Sequence, residues 1–237
     1  MATGLERKEL RSYEIRKRKH KKRVLTIVII SIFTVLAVAA IFVYQLLHKN
    51  YADYQVIHTT ERNDSSTSKY LSYGSGIVRY SRDGAMAMDA SGNLLWNGPY
   101  EMKDPMIDIC GKYVVVSDRG HETIQIYNGD GGVSTINVLN PILKVAVANQ
   151  GVIAVLMDGV GANYIKLYSL EGKELIDIMT TASEDGIPVD MTLSEDGRKL
   201  VTSYVSIQKG KMQNKVTFYN FGEVGQNYGW RMVGFFD

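Results

Sequence analysis

The chain has 237 residues, a formal net charge of +2 and a single cysteine, Cys110, which excludes a disulfide framework within one chain and leaves stability to a packed core. The small net charge hides an asymmetry: residues 1–23 hold ten of the 27 Lys/Arg and only three of the 25 Asp/Glu, so the remainder carries 17 basic against 22 acidic residues. A mildly acidic remainder argues against nucleic acid as a partner.

The first element is a basic tail over residues 1–23, ending in the block Arg16-Lys17-Arg18-Lys19-His20-Lys21-Lys22-Arg23. Val24 to Leu47 then contains no charged residue, and 16 of its 24 positions are Val, Leu, Ile or Phe. As a helix rising ~1.5 Å per residue it would be about 36 Å long, enough to cross a hydrocarbon core of ~30 Å with some tilt. A cleaved signal peptide has a shorter apolar stretch ending at a small-x-small site. Here Ile41, Phe42 and Val43 continue the run past Ala37, Ala39 and Ala40. Residues 24–47 are therefore expected to be a retained signal-anchor helix whose partner is the lipid bilayer. The Lys/Arg bias puts the N-terminus in the cytoplasm and residues 69–237 outside the cell. Between them, residues 48–68 form a polar linker that ends in Asn63-Asp64-Ser65-Ser66-Thr67-Ser68.

Beyond Ser68 the text changes to short β-branched and aromatic runs separated by Gly, Asp and Asn, the pattern of strands joined by tight turns. Such runs are Gly76 to Tyr80, Tyr113 to Ser117, Thr123 to Tyr127, Gly151 to Met157, Tyr164 to Tyr168, Lys199 to Tyr204 and Lys215 to Tyr219. Three hairpin turns recur: Asp89-Ala90-Ser91-Gly92, Asn128-Gly129-Asp130-Gly131 and Ser169-Leu170-Glu171-Gly172, with terminal glycines 39 and 41 residues apart. Phe218-Tyr219-Asn220 begins a fourth copy after a polar insertion around Gln208 to Asn214. A second marker keeps the same phase, because Pro105-Met106-Ile107-Asp108-Ile109, Pro141-Ile142-Leu143-Lys144-Val145 and Pro188-Val189-Asp190-Met191 each open a unit. A period near 40 with four short strands per unit predicts all-β propeller blades, about four of them, in an incomplete ring. A β-sandwich also has many short strands but does not repeat its turns in register.

Leu193-Ser194-Glu195-Asp196-Gly197-Arg198-Lys199-Leu200 resembles the turn between the first two strands of blades in WD40-like and YVTN-like propellers. Asp-Gly supplies the positive φ that such a hairpin needs. The whole chain also resembles an uncharacterised family of Firmicutes membrane proteins with a propeller-like outer domain of unknown function. The likeness rests on the basic tail with its anchor, on Tyr70-Leu71-Ser72-Tyr73-Gly74, on Leu95-Trp96-Asn97 and on Phe218-Tyr219-Asn220-Phe221-Gly222. The resemblance implies a Gram-positive surface location and further sequence beyond Phe235-Phe236-Asp237, but no activity.

No constellation of reactive side chains emerges. In the outer region His58 and His121 each lack a second His, a Cys or paired carboxylates at ligand spacing. Asn128-Gly129-Asp130-Gly131-Gly132 lacks the later carboxylate of a calcium loop and reads as a hairpin turn. Gly74-Ser75-Gly76 lacks the spacing of a nucleophile elbow. Cys110, beside Gly111 in an apolar run, reads as an inert, buried thiol. Ala85-Met86-Ala87-Met88 alternates small with large, as an inner propeller strand packed between neighbours would. No catalytic, cofactor-binding or metal-binding residue is assigned, and no cofactor is expected. The expected role is a membrane-anchored extracytoplasmic binding or scaffold protein, not an enzyme, with an unknown protein or cell-wall partner. The alternative is an enzyme or ligand sensor whose site is completed by blades beyond this chain.

Overall fold

A computed structural model describes residues 4–48, 56, 59, 67–208 and 210–236, without the side chains of 4–15 and 208. His58 and most of the expected linker lie outside the described residues. The chain divides into two compact units, Met1–Val56 and Ile57–Asp237.

Among its described residues the first unit holds one α-helix, α1 (Gly4–Leu47). Its Glu, Lys, Arg and Leu residues are good helix formers, and no proline interrupts it. The two threonines of the apolar stretch bond back onto the helix, Thr26 Oγ1 to the Lys22 carbonyl at 2.9 Å and Thr34 Oγ1 to the Ile30 carbonyl at 2.8 Å. Neither hydroxyl is left bare on an apolar surface. Among the described residues this is the one helix long and apolar enough to cross a membrane.

The described residues of the second unit form sixteen strands in four sheets, each a four-stranded antiparallel meander in chain order. The first sheet is β1 (Lys69–Tyr73), β2 (Gly76–Ser81), β3 (Gly84–Met88) and β4 (Leu94–Pro99). The second is β5 (Pro105–Cys110), β6 (Tyr113–Asp118), β7 (Thr123–Asn128) and β8 (Gly131–Asn137). The third is β9 (Ile142–Val147), β10 (Ile153–Gly159), β11 (Ala162–Tyr168) and β12 (Glu174–Thr180). The fourth is β13 (Ile187–Leu193), β14 (Lys199–Gln208), β15 (Lys211–Asn220) and β16 (Met232–Phe236). These are propeller blades.

The repeated turns close on their leading polar side chain. Asp89 Oδ1 accepts from Ser91 N–H at 2.8 Å and Asn93 N–H at 2.9 Å, and Asn128 Oδ1 accepts from Asp130 N–H at 2.8 Å. Between β13 and β14, Ser194 Oγ accepts from Lys199 N–H at 2.9 Å while Gly197 sits at φ 63°, a conformation that suits glycine.

The core is three clusters, each joining two consecutive blades. Val78, Tyr80, Ala85, Ala87 and Trp96 of the first blade meet Val114, Val116 and Tyr127 of the second. The opposite face of the second blade, with Val115, Ile124 and Ile126, packs on Val145, Val147, Ile153 and Val155 of the third. Ala154, Leu156, Ile165 and Leu167 of the third then meet Met191, Leu200 and Tyr219 of the fourth. The indole of Trp96 stacks on Tyr127 with centroids 4.7 Å apart and an interplanar angle of 3°. Polar ties cross the same junctions: Tyr73 Oη donates to the Lys112 carbonyl at 2.7 Å, Val147 N–H to Asp108 Oδ2 at 2.7 Å, and Asn149 N–H to the Glu195 carbonyl at 2.8 Å.

The fourth blade departs from the repeat. The polar insertion around Gln208 to Asn214 lengthens β14 and β15 to ten residues each. No tight turn follows Asn220; two short 3-10 helices, Val224–Asn227 and Gly229–Arg231, fill the connection to β16. Ala85 and Ala87 do face the neighbouring blade, but β3 is the third strand of its sheet, and Met86 and Met88 alternate onto the other face, half-buried.

Two measurements follow from this packing. A Cβ at Gly98 would collide with the Tyr127 ring at Cε1, whereas nothing lies within 4 Å of one at Gly132. Gly98→Ala is expected to destabilise the unit by about 1–3 kcal/mol through overpacking. Gly132→Ala should be nearly neutral in the same urea titration of the detergent-solubilised chain. Equal midpoints for the two variants would contradict the aromatic junction described.

Asp108 supplies the second. Burial raises its pKa, against the opposing pull of N–H bonds from Val147 and Ile109 and of the Lys144 charge. Because the folded-state value lies above the unfolded one, ionised Asp108 weighs against the fold at neutral pH, and that penalty fades as pH falls through the folded value. Asp108→Asn keeps an acceptor for Val147 and should match or exceed the wild type at pH 8, with the advantage shrinking towards pH 4. Asp108→Ala orphans the Val147 N–H and should cost about 1–3 kcal/mol. An Asn variant as unstable as the Ala variant at pH 8 would refute this assignment.

Candidate ligand-binding groove

Stacking the sheets brings their first strands side by side, β5 next to β9 and β9 next to β13. The segments that enter and leave these strands therefore converge. The approach to β5 is held by the buried Asp118 at the end of β6, whose Oδ1 accepts from Asp104 N–H at 2.7 Å and from Lys103 N–H at 3.1 Å. His121 Nδ1 lies 3.1 Å from the other oxygen of the same carboxylate. Arg119 adds a backbone bond to the Asp104 carbonyl at 3.0 Å and an ion pair from Nε to Asp104 Oδ2 at 3.1 Å. Residues 103–104 are thus fixed by backbone and side chain together.

Two hollows lie along this edge. One, of about 210 Å³, is lined by Thr67, Lys69, Tyr80, Ser81, Arg82, Lys103, Asp104 and Pro105. The other, of about 220 Å³, shares Lys69, Tyr80, Asp104 and Pro105 and adds Met106, Ile107, Arg119, Lys144 and Val145. Together they form an open groove across the first three blades. Its lining is predominantly cationic, with Lys69, Arg82, Lys103, Arg119 and Lys144 against Asp104. Arg119 is committed to Asp104, and Lys144 Nζ to Asp190 at 2.8 Å, an ion pair that holds the Asp190 carboxyl below its ordinary pKa. Among the described residues Lys69, Arg82 and Lys103 have no carboxylate partner, and Lys69 Nζ lies 5.8 Å from the centroid of the Tyr80 ring. Burial and the nearby Asp104 charge raise the Tyr80 hydroxyl pKa, so the phenol stays neutral and able to donate.

The residues singled out by sequence do not gather at this groove. His121 belongs to the Asp118 anchor. Cys110 closes β5, partly buried beside the core between the second and third blades, and burial pushes its thiol pKa up, with Glu195 and Asp108 adding to the shift. Gly74-Ser75 forms the β1–β2 turn, and Asn128–Gly131 the β7–β8 turn. Among the described residues no three His, Cys, Asp or Glu side chains are placed to hold a metal ion. The groove itself went unread in the sequence. The three cations without a carboxylate partner among the described residues come from β1, the β2–β3 turn and the segment before β5, and none of these stretches is basic by itself.

Among solved structures the chain is similar to a Kluyveromyces lactis Hsv2 whose loop 6CD is replaced by a Gly-Ser linker, at 14% identity and a TM-score of 0.50, covering 69% of this chain and 53% of that one. It is also similar to the Neurospora crassa Pan2 WD40 domain, at 10% identity and a TM-score of 0.46 over 70% of this chain and 50% of that one. A third is apo AztD from Citrobacter koseri, at 12% identity and a TM-score of 0.49 over 71% and 46%. The chain spans about half the length of these structures. No curated protein matches it. The profile of the DUF5711 family, a family of unknown function, matches residues 47–237, and the chain belongs to that family.

Proposed function

We propose that this protein is a non-enzymatic binding protein of a Gram-positive cell surface, held by α1 in the cell membrane with its blades outside. The anchor reading is supported by the abrupt change at Arg23/Val24 from a basic block to an uncharged apolar helix with exposed side chains. The basic block holds the tail in the cytoplasm, and the hydrocarbon takes up residues 24–47. The binding reading rests on one observation above all: the open groove across three blades, its cationic side chains carried on strand ends and on a segment fixed by Asp118. A rigid, concave and charged surface of this kind holds ligands.

Topology and binding are tested on intact cells. In a Cys110→Ser background, Val160→Cys at the exposed β10–β11 tip should label with a membrane-impermeant maleimide, and Ser12→Cys should label only after permeabilisation. The reverse pattern would overturn the orientation, and recovery of a soluble product that begins beyond residue 39 would overturn the anchor. A photo-crosslinking side chain at position 82 should capture a partner in these cells, and the same group at position 211, on the exposed β14–β15 hairpin, should not. Equal capture at both positions would contradict a groove-based role.

A further inference from the structure

We infer that the smaller hollow of the groove is an oxyanion site that receives one phosphate of a phosphodiester chain, with the uncharged spacer of that chain lying in the second hollow. This deepens the binding role proposed above and rests on it. At about 210 Å³ the hollow is smaller than the ~300–1,000 Å³ that encloses a whole small molecule, so it suits one group of a longer ligand. Its charge is uncompensated on one side. Lys69, Arg82 and Lys103 approach from three separate segments with no carboxylate partner among the described residues, while Asp104 is held by Arg119. Three like charges around one hollow repel each other until an anion joins them.

The geometry favours phosphate over carboxylate. A carboxylate is planar and pairs best with a single guanidinium fork, whereas a tetrahedral phosphate presents oxygens in several directions to separate cations. The neutral Tyr80 phenol lines the same hollow as a further donor. The second hollow is different in kind. Its own cations Arg119 and Lys144 already face Asp104 and Asp190, so beyond the shared Lys69 it offers no free charge, and its largely polar wall suits an uncharged, hydroxyl-bearing portion. An anion beside a neutral spacer is the repeat of a polyol phosphodiester.

Lysine-acylation footprinting of the full chain in detergent micelles at physiological ionic strength reads the site residue by residue. A short glycerol-phosphate oligomer should slow acylation of Lys69 and Lys103 at least five-fold and leave the exposed Lys173 and Lys211 unchanged. Arg82→Gln should cut that protection below two-fold without shifting the unfolding midpoint. The tail lysines 17, 19, 21 and 22 gauge non-specific polyanion binding, which Arg82→Gln leaves intact. Oligoglutamate of equal charge should protect less than two-fold, and inorganic phosphate only at far higher concentration. Absent protection, uniform protection of surface lysines, or equal protection by oligoglutamate overturns the phosphate assignment. Inorganic phosphate protecting as well as the oligomer overturns the chain ligand. Partner capture at position 82 in cells without lysine protection would sink this assignment alone, and failure of both would sink the binding role as well.

Discussion

A four-stranded sheet of this composition has apolar side chains on both faces and cannot cover either by itself, and the outer unit is organised around that constraint. Every residue of β6 and the first five of β10 are buried, because the second and third blades are sandwiched on both sides. The first and fourth blades each contribute to one core cluster and the middle blades to two. Burial of apolar area at ~25 cal/mol per Å² is the favourable term, and it becomes available only when consecutive sheets stack. The hydrogen bonds that cross the junctions show the same dependence. Tyr73 reaches Lys112 and Val147 reaches Asp108, each 39 residues away, one repeat along the chain.

Stacking also creates the groove. A single blade offers only an edge at its first strand, whereas three stacked blades bring Lys69, Lys103 and Lys144 to one concave surface. Asp118 then turns a loop into a fixed wall by taking up two backbone N–H groups that would otherwise seek solvent or ligand. With those donors committed, the groove presents side chains rather than backbone donors, and their dominant sign is positive.

The repeat was legible because its turns need particular residues. Glycine or Asx-glycine pairs mark Asp89–Gly92, Asn128–Gly131 and Ser194–Gly197, where the backbone takes positive φ or closes on a short polar side chain. The fourth blade was harder to read for the same reason. Its last connection turns through Trp230 at φ 54° and Arg231 at φ 61°, left-handed positions occupied by residues that advertise no turn. The assignment of Ala85–Met88 erred in strand position because alternation reports which side chains share a face, not which strand of a blade carries them. The groove escaped notice because stacking brings its members together from three segments, and sequence spacing between them carries no basic or motif-like signal. What the sequence did show of chemistry concerned single residues, and those among the described residues have a structural task in a strand, a turn or the Asp118 anchor.

Native-state hydrogen exchange tests the central constraint most directly, since it reads local opening strand by strand. If burial between blades holds the unit together, amides of β6, β7, β10 and β11 should exchange slowest, and those of β2, β3, β14 and β15 measurably faster, although all eight are central strands bonded on both sides within their own sheets. Equal protection of these central strands across all four blades would contradict the account, because it would mean that each sheet is stable on its own ladder of hydrogen bonds.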